Sequence, residues 1–208
     1  MNRKVILVGP SGSLLKMKLG EYIDTFDVVC RLNSSGSPNC LTGEYKDIIG
    51  TKTNIWLCRH WATMLANMKN NSYEQLVAFY PNFYEYPPLD NLNIMNNPMF
   101  LLAIELGTPA VNECVSELSK FAKKNNLEMK RPTCGIFAIF YLLSKYDKIS
   151  IIGFDGFKSG HWYGNRFVKQ QDLTDKLAVN GQGAHNMELE SEYIKLLINK
   201  GKIIKENK

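Results

Sequence analysis

An aliphatic run followed by a glycine turn, near the start of the chain, constrains the fold more than any other feature. Val5–Val8 reads Val-Ile-Leu-Val, and the turn Gly9–Ser13 follows it directly. An apolar run of this length ending at a turn is typical of a parallel strand that is buried on both faces. Leucines and isoleucine at helical spacing over Leu14–Ile23 predict a helix, and Phe26–Leu32 returns to strand composition. The sequence therefore predicts a βαβ unit and a parallel α/β sheet.

The alternation of strand and helix patterns continues to the end of the chain. Further strands are predicted at Asn54–Cys58, Leu76–Tyr80, Ile149–Gly153 and Gly201–Ile204, and helices at Ala110–Lys124, Gly135–Lys145 and Asn186–Asn199. Polar, Gly- or Pro-rich stretches predict long loops at Ser34–Lys46, Pro81–Pro98 and Lys158–Gly183, and such loops in an α/β domain border binding sites. We expect a single domain over residues 1–208, because this length suits one sizeable core.

Composition narrows the class of protein. With 45% hydrophobic and 22% charged residues, the chain is typical of a packed globular fold rather than a disordered one. The net charge of +5 is too small to indicate nucleic-acid binding, and it suits anionic small ligands or contact with an anionic membrane surface. The five cysteines include no Cys-x-x-Cys pair, which favours reduced thiols over a disulfide framework or a zinc site.

The apolar run at the N-terminus also bears on location. Val5–Val8 is too short for the core of a signal peptide or for a membrane span. We therefore expect a cytoplasmic protein that can contact a membrane peripherally, or a protein whose anchor lies outside this sequence.

The glycine turn is placed to bind an anion, because the backbone N–H groups at the start of a helix attract phosphate. It is not a Walker A loop, since Leu14 stands where a glycine is required and Lys16 comes one residue late. It also departs from the dinucleotide-binding pattern G-x-G-x-x-G at Ser11 and Leu14. A nucleotide kinase is thus disfavoured, and a turn that only joins strand to helix stays open. The chain has no Asp-x-Asp pair and no His-carboxylate cluster at ligand spacing, so no metal site is predicted.

Four segments, in order along the chain, resemble the sialylmotifs of glycosyltransferase family 29, the eukaryotic-type sialyltransferases. Val5–Ser35 resembles the large motif, and Arg131–Phe157 resembles the small motif, from Pro132-Thr133-Cys134-Gly135 to Gly153-Phe154. His161–Gly164, which reads His-Trp-Tyr-Gly, resembles motif III, and His185-x4-Glu190 resembles the very small motif.

The resemblance implies a single Rossmann-like domain, a modified glycosyltransferase A-type fold with a mostly parallel sheet. It implies an inverting sialyltransferase that uses CMP-sialic acid, without a metal or other cofactor, and a glycan or glycolipid acceptor. Two alternatives stay open: another CMP-activated keto-acid sugar such as CMP-Kdo, and a catalytically silent protein that binds nucleotide or glycan. Tyr146 stands near the place of a cysteine that lumenal members join to the large motif by a disulfide, which favours a reducing compartment.

The transfer needs a base for the acceptor hydroxyl and stabilisation of the departing phosphate. The resemblance assigns His185 as the base and places His161 at the phosphate, although His161 could instead belong to a surface aromatic loop. Glu190 is expected to orient or stabilise rather than to react. Positions five apart lie about 140° apart on a helix, so a direct pair would require His185 to precede the helix, with Asn186 as the cap.

The expected donor-binding residues belong to the large and small motifs, and parallel-sheet topology places them on one rim. They are Gly9, Pro10, Ser11, Gly12, Ser13, Asn33, Thr133, Cys134, Gly135, Gly153, Phe154 and Asp155. Pro10 stands where the family usually has Asn, and Thr133-Cys134 where it usually has Ser-Thr, which leaves the donor sugar open. Cys134 is interpreted as a small buried residue rather than a nucleophile, because an inverting transfer forms no covalent intermediate.

Overall fold

Strands and helices alternate through the residues that the computed structural model describes, which are 3–33, 45–59, 73–79, 98–156 and 185–206. The strands are β1 (Val5–Val8), β2 (Val28–Leu32), β3 (Ile55–Cys58), β4 (Gln75–Ala78), β5 (Ile149–Ile152) and β6 (Ile203–Lys205). The helices are a 3₁₀ helix (Gly12–Lys16), α1 (Gly20–Asp24), α2 (Tyr45–Ile49), α3 (Pro98–Lys124), α4 (Cys134–Leu143) and α5 (Met187–Asn199).

The six strands form one parallel sheet in the order β4-β3-β2-β1-β5-β6. The chain builds outward from β1 to β4 and then returns to the other side of β1 for β5 and β6. In such sheets ligands bind beyond the carboxyl ends of the strands at the reversal, here between β1 and β5. Val8 lies opposite both Arg31 and Ile152, so the segments after β1, β2 and β5 leave the sheet at one level. The predicted Rossmann-like α/β fold is confirmed.

Side chains of β1 alternate between two helical layers. Val5 and Leu7 pack into the core formed with α3, α4 and α5, whereas Ile6 and Val8 pack against the 3₁₀ helix, α1 and α2. All four side chains are buried. Burial on both faces explains why the run contains no polar residue.

The helix predicted over Leu14–Ile23 is wrong in one respect, because it is split into the 3₁₀ helix and α1. The second piece lies very close to α2. A Cβ on Gly20 would stand 2.3 Å from the carbonyl oxygen of Lys46, so a glycine is needed where the two helices meet. Lys46 belongs to α2, in a segment that was expected to be a loop; residues 34–44 of that segment lie outside the described part.

Helix α3 begins at Pro98, whereas the sequence placed its start at Ala110. The prediction rested on the helical periodicity of residues 110–124, which follow Pro109, a residue type that usually starts or breaks a helix. The helix nevertheless continues through Pro109, two residues after it packs against β4 at Gly107. A Cβ on Gly107 would stand 2.2 Å from the carbonyl oxygen of Ala78, so tertiary packing holds this helix in place.

Four cysteines are buried free thiols: Cys30, Cys58, Cys114 and Cys134. This arrangement agrees with the expected reduced thiols; Cys40 lies outside the described residues. No helix within the described ranges combines the length and the apolar character needed to cross a bilayer.

Arg31 is fully buried on β2, where an arginine usually pairs with a carboxylate. Its guanidinium instead donates to the carbonyl oxygens of Ile49 and Lys52 at 2.7 and 3.0 Å, and to Thr53 Oγ1. Asp24 accepts hydrogen bonds from the main chain of Thr51 and Lys52. Arg31 therefore fixes the segment between α2 and β3.

Candidate active site

A cavity of about 700 Å³ opens at the carboxyl edge of the sheet, at the reversal between β1 and β5. This volume is within the range of small-molecule sites. It brings together the segments after β1, β2, β3 and β5 and the starts of α4 and α5. The expected site residues that line it are Pro10, Ser11, Asn33, Thr133, Cys134, Gly135, Gly153, Phe154, Asp155, His185 and Glu190.

Other expected site residues lie beside the cavity or outside the described part of the chain. Gly9, Gly12 and Ser13 belong to the same turn as Ser11 without lining the cavity, and Ser13 borders a neighbouring cavity of about 360 Å³. His161 and the rest of His161–Gly164 lie outside the described residues.

The turn after β1 lies directly on the end of β5. Gly9 N donates to the carbonyl oxygen of Ile152 at 2.7 Å, and Ser11 N donates to that of Gly153 at 3.2 Å. A Cβ on Gly9 would stand 2.3 Å from the Gly153 oxygen, and Gly153 has φ +72°. Both positions therefore require glycine, one because of the close approach and the other because of its left-handed conformation.

Asp155 holds the turn from the other side. Ser11 Oγ donates to Asp155 Oδ2 at 2.8 Å and is 2.6 Å from Ser13 Oγ. Ser13 N also donates to Ser11 Oγ, which caps the 3₁₀ helix. The carboxylate thus orients Ser11 and, through it, the backbone N–H groups of the turn.

Asn33 directly follows β2 and is in the left-handed conformation, with φ 46°. Its carbonyl oxygen accepts from Trp56 Nε1 at 2.6 Å, and its Oδ1 accepts from the backbone N of Arg59 at 3.0 Å. Burial raises the pKa of the thiol of Cys134, which lines the same cavity as Asn33. The thiol is therefore neutral at pH 7, as expected of a small buried residue rather than a nucleophile.

The start of α4 is joined to α5 by a buried carboxyl group. Glu190 Oε1 accepts from Thr133 N at 2.7 Å, and Thr133 Oγ1 donates to Glu190 Oε2 at 2.6 Å. Thr133 also caps α4, because its Oγ1 accepts from Ile136 N. Burial raises the pKa of Glu190 to about 7, although the two hydrogen bonds from Thr133 act in the opposite direction.

His185 lies directly before α5, which begins at Met187 with Asn186 as its cap. His185 Nδ1 is 2.6 Å from the carbonyl oxygen of Arg131. A carbonyl oxygen only accepts, so Nδ1 carries the proton and Nε2 is the acceptor of the neutral ring. Burial, together with the positive charge of Arg59, lowers the pKa of His185 to about 4, so the ring is neutral at pH 7.

His185 and Glu190 bond to the same segment, residues 131–133, rather than to each other. Asn186 Nδ2 donates to the carbonyl oxygen of Glu128 at 2.7 Å, which extends the contact along the chain. The start of α5 therefore holds the segment before α4 at three points. Through this contact the small and very small motifs form one wall of the cavity.

Arg59 is a cavity residue that sequence reasoning missed. It matches no motif, and it lies in the wall of the cavity directly after β3. Its place in the sequence, directly after a predicted strand, was the available signal. Residues that directly follow the strands of a parallel sheet all lie at the same edge of the sheet. No group of three His, Cys, Asp or Glu side chains in the described ranges is placed to hold a metal ion.

Comparisons with known proteins identify relatives of this chain. Residues 2–81 and 109–202 match Glycosyltransferase family 29 (sialyltransferase). An alpha-N-acetylneuraminide alpha-2,8-sialyltransferase of Xenopus laevis is 26% identical over 193 residues, covering 86% of this chain and 52% of the relative. A human type 2 lactosamine alpha-2,3-sialyltransferase is 25% identical over 229 residues, covering 97% of this chain and 64% of the relative.

Solved structures show the same fold. The crystal structure of a mammalian sialyltransferase superposes with a TM-score of 0.57 at 17% identity, covering 99% of this chain and 69% of that one. A mammalian sialyltransferase in complex with Gal-beta-1-3GalNAc-ortho-nitrophenol gives a TM-score of 0.56 at 16% identity, with the same coverage. The chain spans about half to two thirds of the length of the sequence relatives. Because the family match covers most of its residues, the chain belongs to glycosyltransferase family 29, the sialyltransferases.

Proposed function

We propose that this protein is an inverting sialyltransferase that transfers sialic acid from CMP-sialic acid to a hydroxyl group of a glycan or glycolipid. Membership of the family supports sialyl transfer. The observation that carries the mechanism is the neutral His185, whose Nε2 is the accepting atom of a ring in the cavity wall.

In the proposed reaction His185 is the general base. The acceptor hydroxyl gives its proton to Nε2 while its oxygen forms a bond to the anomeric carbon of the donor. The bond from that carbon to the phosphate oxygen breaks, and CMP leaves with the electron pair. A single displacement inverts the configuration at the anomeric carbon. The Arg131 carbonyl oxygen keeps its bond to Nδ1–H and stabilises the imidazolium ion that forms.

The donor carries one negative charge on its phosphate and another on its carboxylate. The proposed partners for these charges are the backbone N–H groups of the first turn of α4, because those of Gly9, Ser11 and Ser13 already donate within the protein. Helix geometry leaves the N–H groups of Cys134 and Gly135 without partners inside α4, and a helix N-terminus favours anions. Asn33, Ser11 and Thr133 are the polar side chains of the donor site.

We also propose that transfer needs no metal ion or other cofactor. The support is chemical: the sequence has no Asp-x-Asp pair, and backbone N–H groups with His161 would stabilise the leaving phosphate. His161 keeps the role that its motif implies. The cytoplasmic location and the peripheral contact with a membrane also stay predictions.

The test is a transfer assay with purified protein, either CMP-sialic acid or CMP-Kdo as the donor, and EDTA. The relatives suggest the acceptors: a sialylated glycan, a type 2 lactosamine and Gal-beta-1-3GalNAc. Product is measured by chromatography and mass spectrometry. The expected result is transfer to at least one acceptor in the presence of EDTA.

The variant that tests the proposed base is His185→Asn. Its amide N–H can still donate to the carbonyl oxygen of Arg131, but its side chain cannot accept a proton from the acceptor hydroxyl. Loss of a general base should lower kcat by about 10²- to 10⁴-fold, while CMP binds with nearly unchanged affinity. Wild-type kcat in this variant would remove His185 from the mechanism. Transfer from CMP-Kdo alone would correct the donor sugar, and CMP binding without any transfer would favour a silent homologue.

A further inference from the structure

We propose that Arg59 binds a negatively charged group of the CMP-sugar, which makes it a donor-recognition residue of the site. This inference rests on the proposed function and adds a residue that belongs to none of the four motif segments. The group is either the phosphate or the carboxylate of the donor, and titration with ligands that carry one or both of these groups distinguishes the two.

The first argument is the fixed position of Arg59 at the rim. Its backbone N–H donates to Asn33 Oδ1 at 3.0 Å, so the residue after β3 is tied to the residue after β2. Trp56, on β3, donates from Nε1 to the carbonyl oxygen of Asn33 at 2.6 Å. Two hydrogen bonds therefore set where the Arg59 side chain leaves the sheet, and that side chain is partly buried in the cavity wall.

The second argument is that the positive charge of Arg59 acts on two other residues of the site. The positive charge of Arg59 acts to lower the pKa of His185 and that of Cys134. These residues lie on different elements, one before α5 and the other at the start of α4. Arg59, the proposed base and the first turn of α4 also line one cavity, where the reacting end of the donor would lie.

The third argument is the charge of the cavity wall. Three acidic residues, Asp155, Glu188 and Glu190, line the cavity that is proposed to take a donor with two negative charges. Two lysines of the wall are exposed: Lys205 on β6, and Lys195, which pairs with Glu192 at 2.6 Å. Arg59, in contrast, is partly buried, and its backbone is hydrogen-bonded to Asn33, a proposed donor-binding residue. The lower dielectric around a partly buried group makes its charge more effective.

Arginine suits this task because its planar fork donates two hydrogen bonds to a phosphate or a carboxylate at once. The N–H groups of Cys134 and Gly135 at the start of α4 would donate to the same region. The guanidinium and the helix N-terminus together would offset the repulsion from the acidic wall.

The test is calorimetric titration of wild-type protein and variants with cytidine, CMP and a slowly reacting 3-fluoro analogue of CMP-sialic acid. The affinity ratio of CMP to cytidine measures phosphate recognition, and the ratio of the analogue to CMP measures recognition of the sugar and its carboxylate. Arg59→Gln should lower one of these ratios by about 10- to 100-fold while cytidine affinity stays unchanged, since one charge-assisted contact is lost.

Two further variants keep the result interpretable. Arg59→Lys preserves the charge and should retain more of the affected ratio than Arg59→Gln. Lys120→Gln removes the same charge from an exposed position on α3 and should leave both ratios unchanged. Thermal unfolding of each variant checks that it is folded.

A fall in the CMP-to-cytidine ratio assigns Arg59 to the phosphate, and a fall in the analogue-to-CMP ratio assigns it to the carboxylate. Wild-type ratios in a folded Arg59→Gln protein would overturn this inference and leave the proposed function standing. Wild-type protein that binds neither CMP nor cytidine would contradict the proposed function itself.

Discussion

Replacing Glu190 with glutamine should change how the stability of this protein depends on pH. Glu190 is 4% exposed, and both of its carboxyl oxygens are bonded to Thr133. Glutamine has nearly the same shape. Its oxygen can accept from Thr133 N and its amide group can donate to Thr133 Oγ1, so the variant keeps the two contacts and loses only the titrating group.

The size of the effect follows from the pKa of Glu190. Burial raises the pKa from 4.5 to about 7, and each pKa unit corresponds to about 1.4 kcal/mol, so the whole effect is about 3 kcal/mol. Between these values the folded protein keeps a proton that the unfolded chain releases. Glu190 therefore contributes its full stability below pH 4.5, and this contribution is lost as the pH rises through about 7.

The assay is urea unfolding of wild-type protein and the Glu190→Gln variant at several values of pH. From about pH 5 to pH 8, the free energy of unfolding of the variant should rise by about 2–3 kcal/mol relative to wild type. Glu188→Gln, at an exposed position of the same helix, should show no such trend. Parallel curves for wild type and Glu190→Gln would refute the argument that burial determines the protonation of this carboxyl group.

Three further predictions follow from the site. NMR titration of the histidine rings, with His185→Asn to assign the signal, should give His185 a pKa near 4; a value near 6.5 would contradict its burial. Thr133→Ala should destabilise the fold by about 2–3 kcal/mol in urea unfolding, because a cap and a hydrogen bond to Glu190 are lost, whereas Thr133→Ser should cost under about 1 kcal/mol. Gly9→Ala should cost about 1–3 kcal/mol in the same assay, because its Cβ would stand 2.3 Å from the Gly153 oxygen; an unchanged free energy would show that the two segments separate easily.

The sheet could be predicted from the sequence because buried parallel strands leave a strong local signal. The run Val5–Val8 predicted β1 correctly, and the turn after it contributes Pro10 and Ser11 to the cavity wall. Helix ends were harder to predict. Pro109 gave a local signal for a helix start, whereas the contact of Gly107 with β4 extends α3 back to Pro98.

The internal contacts of the site could not be read from the sequence. The bond between Thr133 and Glu190 joins residues 57 positions apart and exists only because α4 and α5 meet in the fold, where the rings of Phe140 and Tyr193 also stack. Motif spacing indicated that the two belong to one site, without indicating that they touch. Arg59 belongs to no motif, and its position after a strand was a weak signal because a single arginine after a strand is common. Its place at the cavity depends on where β3 ends.

The most direct test of the central claim is hydrogen–deuterium exchange with and without CMP. The account predicts that CMP slows exchange of backbone N–H groups in the turn Gly9–Ser13, at Asn33 and at the start of α4 around Cys134 and Gly135. Helix α3, none of whose described side chains lines the cavity, should exchange at the same rate in both samples. Protection confined to other elements, or none in these segments at saturating CMP, would contradict the assignment of this cavity as the donor site.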